Sequence, residues 1–172
     1  DGVTRIGAHA FRGSGIVSIT IPDSVTTIGA DAFWDAKSLT SVKLPEGLTS
    51  LSSGLFAFTE KLTSVQLPST LKTMGHVVFW YSGITGLTLP DGFESFGENA
   101  FADTPYLANI TIPNSVTTIG FGAFQHTPNL TSVTLPTGIT SIPGYAFARS
   151  GLTSITVPAG VTSIGNSAFS NM

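Results

Sequence analysis

Cysteine is absent from this 172-residue chain, which excludes disulfide cross-links, thiolate metal ligands and cysteine nucleophiles. Charge is scarce as well: Asp, Glu, Lys and Arg make up 10% of residues, against roughly 25% in ordinary soluble proteins. Surface polarity must therefore come largely from Thr and Ser hydroxyls. The formal net charge of −3 provides no broad basic field, and no Lys or Arg occurs between Lys72 and Arg149, so nucleic acid is not an expected partner. Long apolar runs are missing too. The most conspicuous, Val77-Val78-Phe79-Trp80-Tyr81, is far short of the ~20 residues that a spanning helix requires, so this segment is not expected to insert into a membrane.

What the chain does have is repetition. Pro22, Pro45, Pro68, Pro90, Pro113, Pro136 and Pro158 recur at steps of 23, 23, 22, 23, 23 and 22 residues. A second ruler, Phe11, Phe33, Phe56, Phe79, Phe101, Phe124, Phe147 and Phe169, keeps the same period. Residues 1–172 thus read as a single array of seven strand-proline units with partial repeats at both ends. Asp1-Gly2-Val3 aligns with Asp91-Gly92-Phe93 after a proline, and Met172 falls just past Phe169. No polar cap is evident, which points to an excerpt of a longer array or a unit that stacks end to end.

Between the rulers the pattern is L-x-x-V-x-L-P, then V-x-x-I-G, then A-F, as in Leu130 to Pro136, Ile139 to Ile142 and Ala146-Phe147. Val133 and Leu135 alternate with polar residues, the period-two signature of a short strand with one buried face. Proline ends that strand because it has no amide to donate, and Pro-Glu-Gly at 45–47 or Pro-Asp-Gly at 90–92 supplies turn chemistry. A second β-rich segment follows, as in Val25 to Ile28, with a glycine expected to permit a sharp reversal. Ala-Phe is then expected to need about one helical turn to drive its ring inward.

One such unit cannot fold alone. Ordering each residue costs on the order of 1–2 kcal/mol, whereas each buried anchor returns only about 1.5–3 kcal/mol. Neighbouring rungs must supply backbone hydrogen bonds and the other wall of the core. The units after Phe11, Phe79 and Phe147 are one residue shorter and use Ser14-Gly15, Ser82-Gly83 and Ser150-Gly151, so every third rung carries a tighter corner.

The string I-P-x-S-V-T-x-I-G-x-x-A-F followed by L-T-S-V occurs as Ile21 to Phe33 with Leu39 to Val42, and as Ile112 to Phe124 with Leu130 to Val133. It resembles the BspA-like leucine-rich repeats over essentially the whole chain. The resemblance implies a leucine-rich-repeat solenoid, mainly β with short strands and about one helical turn per 22–23-residue repeat. It also implies a setting on the surface of anaerobic bacteria or parasitic protists and an adhesin-like role toward host or neighbouring-cell proteins. Many family members carry Cys three residues after the repeat Phe. Here that slot holds Ser14, Ala36, Thr59, Ser82, Thr104, Thr127 and Ser150, which keeps the residue small.

Candidate sites are few. His9, His76 and His126 occupy different phases of the repeat, so stacking does not bring them together, and no nucleophile elbow, metal-spaced cluster or phosphate loop appears. No catalytic residue, metal site or cofactor is expected. Glu94, Glu98 and Asp103 read as solvated charges on different sides of one rung rather than calcium ligands. The outward strand positions Thr20, Lys43, Gln66, Thr88, Thr111, Thr134 and Thr156 read as ordinary strand surface rather than an ordered hydroxyl lattice, and Asn109 and Asn129 head glycosylation sequons.

The sharpest signal is aromatic. One or two positions after the repeat Phe lie Trp34, Phe58, and Trp80 with Tyr81, where other rungs place Gly, Gln, His or Arg. Rungs stack at roughly 4.8 Å, so these rings are placed either to form one exposed strip suited to sugar or protein contacts, or to close the corners against the next unit. The expected function is a cell-surface, extracellular adhesion or recognition module for a host or neighbouring-cell protein or glycan, not an enzyme. The alternative is a structural array that self-associates into a fibre or surface sheath.

Overall fold

A computed structural model describes residues 2–172 as a β-solenoid; Asp1, aligned above with Asp91, lies outside them. Two series of short parallel strands alternate along the chain. The first comprises β2 (Ser18–Thr20), β4 (Ser41–Lys43), β6 (Ser64–Gln66), β8 (Gly86–Thr88) and β10 (Asn109–Thr111). The second comprises β1 (Arg5–Ile6), β3 (Thr27–Ile28), β5 (Ser50–Leu51), β7 (Thr73–Met74), β9 (Ser95–Phe96), β11 (Ser141–Ile142) and β12 (Ser163–Ile164). Pairing is between equivalent residues one rung apart, for example Val42 with Val65 and Met74 with Phe96. Of the seven expected pre-proline strands, those around Val133 and Ile155 do not form.

The prolines behave as their chemistry requires. Amides of Val25, Leu71, Phe93, Val116 and Val161 donate to the carbonyls of Pro22, Pro68, Pro90, Pro113 and Pro158, closing a turn that redirects the chain from first strand to second.

The expected helical turn does not form; the described residues contain no helix. All thirteen non-glycine residues with positive φ lie two before or two after a repeat Phe, among them Asp31 and Asp35 around Phe33. A left-handed residue at every fourth position breaks a helical hydrogen-bond run. Alternate amides instead turn to the next rung: Asp31, Phe33 and Asp35 donate to the carbonyls of Ser53, Leu55 and Ala57 at 2.9–3.1 Å. Trp34 and Ala36 close tight turns onto Asp31 and Phe33. This third side is a ladder of turns.

Those turns aim the eight repeat phenylalanines inward as one column. Successive ring centroids lie 5.1–5.7 Å apart, with planes within 20° of parallel. Rings from Phe33 to Phe147 are fully buried. Phe93 and Phe96 take aliphatic slots of the repeat, and Phe96 sets its edge against Phe101 and Phe124.

The glycine after the second strand has a different purpose from the expected reversal. Gly29, Gly97, Gly120 and Gly165 lack a left-handed φ, but a Cβ on any of them would lie 2.3–2.4 Å from backbone of the preceding rung. Only glycine allows the rungs to approach so closely. Two rungs depart from the rule, with Ser52 and Pro143 in that slot. No strand pairing joins β3 to β5 or reaches β11 from the preceding rung, and these are the places where Ser52 and Pro143 sit. Ser52 replaces the missing amide bond with its hydroxyl, donated to the Ile28 carbonyl. Proline has no amide to offer.

Corners differ in length as the sequence implies. In longer ones, the amides of Leu39, Leu62, Leu107 and Leu130 donate back to residues 36, 59, 104 and 127. In the short ones, Gly83 and Gly151 donate to the previous rung, at Thr59 and Thr127, and a Cβ there would lie 2.1 Å from a neighbouring carbonyl oxygen. The first series of strands is interrupted between β6 and β8, at the short corner Ser82-Gly83.

Candidate functional site

The turn ladder forms a shoulder of the solenoid, and the two positions after each repeat Phe lie along it. The first carries Trp34, Ala57, Trp80 and Ala102, and the second, always left-handed, carries Asp35, Phe58, Tyr81, Asp103 and His126. A left-handed residue aims its side chain away from the core without needing a partner inside. The second column is therefore free to vary, whereas Ala57 and Ala102 in the first are buried.

The structure brings all four aromatic candidates together. Trp34 lies 5.1 Å from Phe58 and 6.3 Å from Trp80, Phe58 lies 4.9 Å from Trp80, and Phe58 and Tyr81 are parallel at 5.3 Å. The indoles reach toward each other above Ala57, whose side chain is fully buried. Trp34, Phe58 and Trp80 are half-buried, whereas Tyr81 is 44% exposed. Trp34, Phe58 and Trp80 thus pack against one another along the shoulder, and Tyr81 is the most exposed ring of the four.

Polar groups hold both ends of this cluster. The Arg12 guanidinium lies 5.4 Å from the Trp34 ring centre, in cation–π geometry. At the other end, Trp80 Nε1 donates to Asp103 Oδ2 at 3.1 Å, and His126 Nδ1 lies 2.7 Å from Asp103 Oδ1. Asp103 thereby fixes the Trp80 ring from the next rung.

Two hollows flank Tyr81. One, of about 290 Å³, lies at the short corner between Glu60-Lys61 and Pro105-Tyr106; the other, of about 190 Å³, lies between Tyr81, His126 and Pro128. Tyr106, 58% exposed, was not singled out by the repeat pattern because it stands in a corner, off the columns next to Phe. Phe121 and Tyr145, three before Phe124 and two before Phe147, are also exposed and lie 5.4 Å apart on the opposite shoulder. Their only signal in the sequence is failure to repeat.

The other candidates stay separate. His9 faces Asp31 at 3.6 Å and His76 faces Glu98 at 3.8 Å, each within one column of neighbouring rungs, as His126 faces Asp103. Glu94 pairs with Lys72 at 2.9 Å. Among the described residues no three His, Asp or Glu side chains come together as metal ligands. The outward strand positions, including Thr20, Lys43 and Gln66, are exposed, as are Asn109 and Asn129. No helix is long and apolar enough to cross a membrane among the described residues.

Comparison with known proteins agrees with this architecture. A crystal structure of a Treponema (T. pallidum) leucine-rich repeat protein is 26% identical, with a TM-score of 0.85, covering 94% of this chain and 77% of that one. A leucine-rich repeat protein from Eubacterium ventriosum is 21% identical with a TM-score of 0.62, and covers 99% of this chain and 63% of its own. The pneumococcal vaccine antigen PcpA is 18% identical with a TM-score of 0.51, at 99% and 65% coverage. The chain thus spans less than two thirds of the latter two structures. No curated protein sequence matches. The BspA type leucine rich repeat region matches in six copies over residues 1–107 and 73–172. With its two rulers, its stacked phenylalanine column and this match along its full length, the chain belongs to the BspA-type leucine-rich repeat family.

Proposed function

We propose that this chain is a cell-surface recognition and adhesion module, and that the shoulder formed by Trp34, Phe58, Trp80 and Tyr81 carries its affinity. The observation that supports this reading is contiguity: four rings that no repeat rule requires converge on one surface spanning three rungs. Phe58 and Tyr81 occupy left-handed positions, φ 58° and 52°, where Gly, Asn or Asp is the easier choice. Aromatic rings offer large contact area at little entropic cost, and interfaces concentrate affinity in such groups. Membership of a family associated with cell surfaces supports the location.

The partner in this reading is a protein or glycan of a host or neighbouring cell, and the solenoid acts by presentation rather than by catalysis. Attachment of the labelled chain to cultured epithelial cells and to bacterial cells tests it. Combined substitution Trp34→Ala, Trp80→Ala and Tyr81→Ala is expected to abolish attachment, while circular dichroism retains the β signature. Unchanged attachment by a folded triple variant would sink the proposal.

A further inference from the structure

The short corner at Ser82-Gly83 does more than tighten one rung. Because it lacks a residue that its neighbours have, the corners on either side, Glu60-Lys61 and Pro105-Tyr106, stand proud of it and leave a notch of about 290 Å³. Tyr81 and Ser82 lie on its floor, and the Asp103 carboxylate borders it. The Tyr81 ring is the exposed end of the aromatic cluster, and Tyr106 is exposed across from it.

We propose that this notch is a carbohydrate subsite that takes one pyranose ring. The inference rests on the recognition reading above and names the ligand class at its open end. A pyranose has apolar C–H faces with a rim of hydroxyls. The C–H hydrogens carry partial positive charge and suit the electron-rich faces of Tyr81 or Tyr106. The rim needs strong donors and acceptors, which Glu60, Lys61 and Asp103 supply as charge-assisted partners.

Other occupants fit less well. A purely apolar side chain would desolvate three ionic groups without compensating them. A lysine or arginine from a partner would meet the like charge of Lys61. The notch is near the lower end of the size range of small-molecule sites, roughly 300 Å³, which suits a single sugar ring. The second hollow, about 190 Å³ beyond Asp103 and beside His126, lies where an adjoining sugar would continue.

The test titrates the full chain with the methyl glycosides of glucose, galactose, mannose and N-acetylglucosamine, and with lactose and cellobiose. Amide chemical shifts are followed at Lys61, Tyr81 and Tyr106. At least one of these sugars is expected to give saturable shifts at those residues in the millimolar range. Tyr106→Ala, an exposed position that folding does not require, is expected to weaken that binding at least about tenfold, and Phe121→Ala on the opposite shoulder to leave it unchanged. Absence of saturable binding by every sugar, or undiminished binding by Tyr106→Ala, overturns the inference. The recognition reading then stands or falls separately, on whether the triple variant at Trp34, Trp80 and Tyr81 loses cell attachment.

Discussion

At the scale of single residues, the slot three positions after each Phe separates two chemistries. Thr59, Thr104 and Thr127 are buried, and each hydroxyl donates to the carbonyl of its own repeat Phe at 2.6–2.9 Å. Ser14, Ser82 and Ser150, in the short corners, have buried hydroxyls with no hydrogen-bond partner. Ala36 shows that the slot needs no hydroxyl to pack. Thr59→Val, which keeps shape and removes the donor, is therefore expected to cost about 1 kcal/mol. Ser150→Ala, which removes an unsatisfied hydroxyl, is expected to stabilise by about 1 kcal/mol. Equilibrium urea denaturation measures both, and opposite signs are the outcome that matters. Side-chain size at this slot was readable from the sequence. Its hydrogen bonding was not, because whether a hydroxyl finds a carbonyl depends on corner length and on which rotamer the neighbouring rung leaves open.

At the scale of elements, the repeat pattern located five of the seven pre-proline strands and the proline turns, but missed the loss of pairing around Val133 and Ile155 and misjudged two further pieces of backbone. The Ala-Phe segment has the right residues for a helical turn; what prevents one is hydrogen bonding to the next rung, which exists only once rungs stack. Residues such as Asp31, Asp35, Asn99 and Asp103 tolerate the left-handed region, a clue to the alternating turns, but Val77 and Tyr81 in equivalent positions hide it. The recurring glycine was visible at once, yet its cause is the backbone of the rung before it. Gly97→Ala tests that cause. Its new Cβ would lie 2.4 Å from the carbonyl carbon and oxygen of Gly75, both backbone atoms that cannot swing aside. A loss of roughly 3 kcal/mol is expected, whereas Gly13→Ala, with nothing within 4 Å, is subject only to its left-handed φ. Comparable losses at the two sites would show that close approach is not the reason for the glycine.

At the scale of the whole molecule, stability is a sum over neighbouring rungs, so its weak points can be placed. Lys72 and Gly75 donate their amides to Thr49 and Leu51 at 2.8–2.9 Å, but no strand pairing crosses from β3 to β5, where Ser52 replaces glycine. Native-state hydrogen exchange is therefore expected to be faster at Thr49 and Ser52 than at Lys72 and Gly75. Equal protection on both sides would mean the ladder is continuous there. The candidate site was legible in part at this scale: stacking of equivalent positions placed Trp34, Phe58, Trp80 and Tyr81 on one shoulder. The half-burial of the indoles over Ala57, and the exposure of Tyr106 beside a shortened corner, needed the third dimension. That shortening also has a reach beyond one rung. It recurs at Ser14-Gly15, Ser82-Gly83 and Ser150-Gly151, 68 residues apart, and three rungs measure about 14 Å along the axis. Only the middle corner has rings beside it, Tyr81 and Tyr106, where Gly13 and Arg149 precede the outer two serines, so the shortening sets a three-rung interval along the axis while the aromatic surroundings mark one position on it.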